Sequence, residues 1–117
     1  MNYPEEHEGS LEARRFPRYE FDTEIHVATF GGEKQQVMRG RALNISEAGV
    51  GGIFVGGWDM GTAVNLRFFV PVVNAPLSVG AIVRSRSDYR YGFEFAELNP
   101  AQREVIDKTC RTLALLE

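Results

Sequence analysis

From Glu24 to Leu98 the chain repeats one pattern: short runs with apolar residues at alternate positions, broken by turn-forming residues. A period of two belongs to half-buried strands, whereas a helix face needs 3.6. The first run is "EIHVATF" (Glu24–Phe30), closed by a turn at "GGEK". "QVMRGRALNIS" follows, with Val37, Met38, Ala42, Leu43 and Ile45 as apolar positions. A Gly-rich turn then leads into a short apolar strand, Ile53 to Val55. "AVNLRFFVP" sets Val64, Leu66 and Phe68 on one face, and "LSVGAIVRSRS" does the same with Leu77, Val79, Ala81 and Val83. "DYR" makes a tight turn into "YGFEFAEL", with Tyr91, Phe93 and Phe95 on one face. At Asn99 the period changes. Asn99 is a helix cap and Pro100 suits the first helical position. Beyond them Ile106, Cys110 and Leu113, with Leu116 or Val105, form a helical stripe. The expectation is a mainly β fold: a six-stranded antiparallel sheet closed into a barrel, followed by one C-terminal α-helix.

Length and charge narrow the functions open to such a fold. At 117 residues the chain suits a single core, so 13–117 is expected to be one domain behind a flexible acidic tail, 1–12. No apolar run approaches the ~20 residues of a membrane span, and no membrane insertion is expected. The first residues are acidic and lack the apolar stretch of a secretory signal. Cys110 is the lone cysteine, which rules out an internal disulfide and points to a reducing, cytoplasmic location. A net charge of −3 argues against a nucleic acid polymer as partner. Catalytic chemistry is poorly provided for. The histidines are His7 and His26, no zinc-ligand cluster exists, and "GVGGIFVGG" is not followed by the helix that a dinucleotide fingerprint needs. The chain is therefore not expected to be an enzyme.

Against this acidic background, "RRFPR" places three arginines in five positions, Arg14, Arg15 and Arg18. A second stretch, "NISEAG" (Asn44–Gly49), has turn chemistry, since Asn and Ser bond their own backbone and Gly accepts unusual dihedrals. Taken singly, these are a solvated charge cluster and a good turn. Together, in this order, they resemble the signature of the PilZ domain, a bacterial receptor module for cyclic di-GMP. Arg14 and Arg18 match its R-x-x-x-R loop. Asn44, Ser46 and Gly49 match its [D/N]-x-S-x-x-G turn. "GAIVRSRSDYRYGFEFAEL" is similar to the closing hairpin of the family, and the resemblance covers about residues 12 to 117.

The resemblance implies a six-stranded barrel that binds cyclic di-GMP through Arg14, Arg15, Arg18, Asn44, Ser46, Gly49 and Arg84, with no other cofactor and no metal. Arginine suits the task, since its planar fork pairs with phosphate or with guanine O6 and N7, and its face stacks on a purine. Arg84 stands where many family members carry an aromatic residue facing the ligand. Asn44 stands where the family more often has Asp. Ala13 stands where some members carry a further arginine that helps hold a second ligand molecule, which favours one molecule per site; Arg15 is the neighbouring substitute. A module without an output domain of its own relays the signal to a protein effector through a changed surface. Two other readings stay open on the sequence. One is a degenerate member that binds no nucleotide and acts as a protein adaptor. The other is a single-strand-binding barrel of another family, for which "VRSRSDYRY" is the sole candidate stretch.

Overall fold

The computed structural model describes residues 16–31 and 34–117. The tail 1–12, Arg14 and Arg15 lie outside the described residues, as does the centre of the "GGEK" turn. Six strands follow one another: β1 Tyr19–Gly31, β2 Lys34–Ile45, β3 Gly49–Phe54, β4 Ala63–Phe68, β5 Leu77–Ser87 and β6 Arg90–Phe95. One helix, α1, spans Pro100–Ala114. All pairings are antiparallel, and the order β1-β2-β3-β6-β5-β4 closes into a barrel because β4 returns to β1. Closure pairs most of the strand edges, while the β1–β2 hairpin extends beyond the stretches that pair with β4 and β3.

Except in β2, where Ala42 and Ile45 are both inward, the inward positions are those the alternation marks. Ile25, Val27, Ala42, Ile45, Leu66, Phe68, Val79, Val83 and Phe93 fill the barrel. Each large aliphatic or aromatic among them contributes about 1.5–3 kcal/mol by leaving water. Trp58 joins them, its ring 5.7 Å from Phe54 and 5.0 Å from Tyr91 in edge-to-face geometry.

Three expectations need correction. The strand expected at Ile53–Val55 runs from Gly49 to Phe54 instead, and Val55 is exposed. Gly51 and Gly52 are there for close approach, not for a turn. A side chain on Gly52 would collide with the Arg41 carbonyl oxygen, and one on Gly40 with the Phe54 ring. Second, β1 begins at Tyr19, well before Glu24, because Tyr19 and Glu20 already pair with Ile45 and Asn44. Third, Val37 faces solvent, and at the helix Leu116 is exposed while Val105 packs partly on the core. The buried stripe of α1 is Ile106, Thr109, Cys110 and Leu113. Thr109 is tolerated there because its hydroxyl donates to the Val105 carbonyl at 2.8 Å.

The helix is anchored where it starts. Asn99 Oδ1 accepts from the Gln102 N–H at 2.7 Å, and Gln102 Oε1 accepts from the Asn99 N–H at 2.8 Å, a reciprocal capping box. Gln102 Nε2 also donates to the Ser78 carbonyl on β5 at 2.6 Å. Among the described residues no helix is long and apolar enough to cross a membrane.

Candidate functional site

The turn between β2 and β3 is built around one hydroxyl. Ser46 is 2 % exposed, and its Oγ accepts the N–H groups of Ala48 at 3.1 Å and Gly49 at 3.2 Å. Its own N–H donates to the Gly49 carbonyl at 2.8 Å. Two neighbours hold the turn from outside. Phe95 N–H donates to the Ala48 carbonyl at 2.8 Å, and Arg103 of α1 donates to the Glu47 carbonyl at 2.8 Å. Ser46 therefore has a structural duty as well as its expected binding one. With both lone pairs in use, the hydroxyl has only its proton left to offer a ligand. Ser46→Ala should cost about 1–3 kcal/mol of stability, because a buried and a part-buried N–H group lose their acceptor. Chemical denaturation of the two proteins checks this.

Bulges decide which side chains face outward here. Along β2, Ala42 pairs with Gly52 and Asn44 with Gly51, so Leu43 is an extra residue. That insertion reverses the alternation: Ala42 and Ile45 both point inward, and Asn44 lies on the outer face. Its amide rests over Gly51, where an added Cβ would stand 3.0 Å from Asn44 Oδ1. A second bulge makes Arg84 the extra residue, since Val83 pairs with Phe93 and Ser85 with Gly92. Arg84 and Ser85, adjacent in sequence, consequently both line the same outer cleft.

That cleft, with an empty volume of about 330 Å³, brings together Arg18, Asn44, Ser46, Gly49, Arg84 and Glu94. Gly49 and Gly92 also line it, and their lack of a side chain makes room for the Phe93 carbonyl and the Ser85 hydroxyl. Arg84 Nε donates to Glu94 Oε1 at 2.7 Å across the wall. An adjoining open space of about 880 Å³ shares Arg18, Asn44, Ser85 and Gly92 and adds Arg86 and Arg90, with no acid among the described residues lining it. Arg86 is held in place: it donates to the Trp58 carbonyl at 3.1 Å and lies 5.6 Å from the Tyr91 ring centre. The result is a cleft bordered by guanidinium groups, suited to an anionic ligand.

A search of family descriptions matches the PilZ domain over residues 12–111. The chain belongs to the PilZ domain family. No curated protein matches it. Among solved structures, the Bacillus subtilis inhibitor of motility MotI/DgrA superposes with a TM-score of 0.69 at 17 % identity, over 89 % of this chain and 52 % of that one. This PilZ domain thus spans about half the length of MotI. The PilZ domain of Escherichia coli YcgR, solved with c-di-GMP, gives 0.67 at 13 % identity, covering 86 % of this chain and 91 % of that one. The PilZ domain of CeSA from a cellulose-synthesizing bacterium gives 0.63 at 18 % identity, covering 86 % and 97 %. At these identities the likeness establishes the shared barrel and helix.

Of the residues expected in the site of this PilZ domain, Arg18, Asn44, Ser46, Gly49 and Arg84 line one cleft. Arg14 and Arg15 lie outside the described residues. Glu94, Ser85, Arg86 and Arg90 were not singled out by sequence reasoning. Glu94 was accessible to it, since the alternation of β6 buries Tyr91 and Phe93 and turns Gly92 and Glu94 outward. Ser85 was not, because only the bulge at Arg84 turns it to this side. Trp58 belongs to the core, with 9 % exposure. Cys110 is also remote from ligand chemistry. Burial pushes its thiol up to about 11, and the Glu47 and Asp107 carboxylates add to the shift, so it stays protonated near neutrality.

Proposed function

We propose that this PilZ domain is a cyclic di-GMP receptor of the bacterial cytoplasm, which binds one messenger molecule and signals to a protein effector without catalysing a reaction. The observation that carries the proposal is the meeting of Arg18, Asn44, Ser46, Gly49 and Arg84 in a single cleft from three separate stretches of the chain. The cleft gives a guanine a place to lie among these groups. Arg84 stands beside it as a stacking face, and Arg18 supplies a fork for phosphate. Ser46 donates its remaining proton to a phosphate oxygen or to guanine O6 or N7, and Asn44 contributes its amide. Arg14 and Arg15 add positive charge next to Arg18 in sequence. The PilZ domain of YcgR, solved with c-di-GMP, supports the same ligand class.

The relay has a physical starting point at Arg18. This side chain borders the cleft on one side and, on the other, a surface hollow formed with Glu20, Leu113, Leu116 and Glu117 at the end of α1. A ligand that captures Arg18 alters the surface there, and a partner reads the change. Calorimetric titration of the chain with cyclic di-GMP, GTP and a short RNA tests the reading. Saturable micromolar binding of cyclic di-GMP, equivalent to about 8 kcal/mol, is expected, with GTP and RNA far weaker. Equal affinity for all three, or none for cyclic di-GMP, overturns it.

A further inference from the structure

We infer that Glu94 reads the guanine base, its carboxylate accepting the N1 and N2 protons of one guanine; this rests on the cyclic di-GMP reading above. Guanine turns two adjacent donors, N1–H and the exocyclic N2–H, toward whatever recognises that edge. A pair of acceptors in one plane meets them best, and a carboxylate is such a pair. The cleft is poor in other groups able to do this. Arg18 and Arg84 carry donors only. Ser46 has spent both lone pairs on Ala48 and Gly49. Asn44 brings a single neutral amide oxygen, and Ser85 a single hydroxyl. Glu94 is the one carboxylate among the described residues lining the cleft.

The geometry also prepares Glu94 for the role. It follows Gly92 on the outer face of β6 and lines the cleft beside Arg84 and Ser85, so a base held in the cleft has Glu94 at its margin. Arg84 Nε holds Oε1 at 2.7 Å, while Oε2 has no hydrogen-bond partner among the described residues. The side chain is 25 % exposed, which leaves it open to a ligand but sheltered from bulk water. Fixing the carboxylate in advance reduces the rotamer entropy lost on binding. The Arg84 guanidinium also offsets its charge, so a carboxylate is tolerated beside an anionic ligand. Arg84 thus acts on Glu94 as a positioning residue, in addition to its own proposed stacking.

Removing one functional group from each side isolates this contact. Native chain and Glu94→Gln are titrated with cyclic di-GMP and with cyclic di-IMP, whose hypoxanthine lacks the 2-amino group. Glutamine keeps an oxygen for Arg84, so the wall is retained. The native chain should prefer cyclic di-GMP by roughly 10-fold or more, the loss expected for a charge-assisted hydrogen bond. Glu94→Gln should lose cyclic di-GMP affinity and bring the ratio close to one. A native chain that binds both ligands equally overturns the inference while leaving the receptor reading intact. So does a Glu94→Gln variant that changes both affinities by the same factor, because Glu94 then serves only to hold Arg84 or to repel phosphate. A native chain that binds neither ligand overturns the receptor reading and this inference together.

Discussion

Gly49→Ala should lower the stability of this PilZ domain by about 3 kcal/mol or more, the upper part of the overpacking range. The added methyl would collide with the Phe93 carbonyl oxygen, and Gly49 pairs directly with Glu94 in the β3–β6 ladder. The obstacle is backbone in a closed barrel, not the end of a flexible side chain. Relief requires β3 and β6 to separate, which breaks ladder bonds and releases the turn that Phe95 and Ala48 fix. Gly80→Ala is the matched control, because nothing stands within 4 Å of a side chain added there. Thermal melting compares them. The first variant should melt about 10–20 °C below the native chain and the second within a few degrees of it. Equal melting temperatures would mean that β3 can shift outward at little cost. Gly49 would then be a ligand-clearance position rather than a packing one.

This glycine shows where sequence reasoning succeeds and where it stops. The Asn44–Gly49 turn was legible because its spacing carries local chemistry: a Ser that bonds the next N–H groups and a Gly that closes the turn. The strands and α1 were legible because burial follows period, and the Asn99 cap is written in adjacent residues. Gly51 and Gly52 read as turn because glycine marks both a bend and a close approach, and the two differ only in what packs against the backbone. The outward turn of Ser85 could not be read at all. It depends on an inserted residue in β5, and because Arg84 to Ser87 are all polar the shift leaves no trace in hydrophobic alternation there. The Arg84–Glu94 pair is similarly hidden, since it joins neighbouring strands and each residue alone reads as solvated charge. Trp58 belongs to the core because Phe54, Tyr91 and Phe93 surround it.

Arg18→Ala should weaken cyclic di-GMP binding by about 10- to 100-fold, the value of roughly 1.5–3 kcal/mol for hydrogen bonds to a charged group. Arg18 is the residue that the cleft, the adjoining cationic space and the hollow at the end of α1 have in common. It is exposed, so its removal leaves no buried charge and little change in stability is expected. Arg67 on β4 and Arg111 on α1 line none of these three regions and provide the comparison. Their alanine variants remove the same formal charge and should change affinity by less than about twofold, since screening at physiological salt attenuates charges beyond ~8 Å. Arg18→Lys separates charge from shape. Lysine retains the positive charge but not the planar fork, so it should recover only part of the loss if the contact is bidentate. Calorimetry at two salt concentrations reads all four variants. A loss at Arg18 no larger than at Arg67 and Arg111 would show that general electrostatics, not this side chain, draws the ligand. Full recovery by lysine would show that Arg18 serves as a point charge. A specific loss with partial rescue identifies Arg18 as a directed phosphate contact at the junction between the ligand cleft and the helix end.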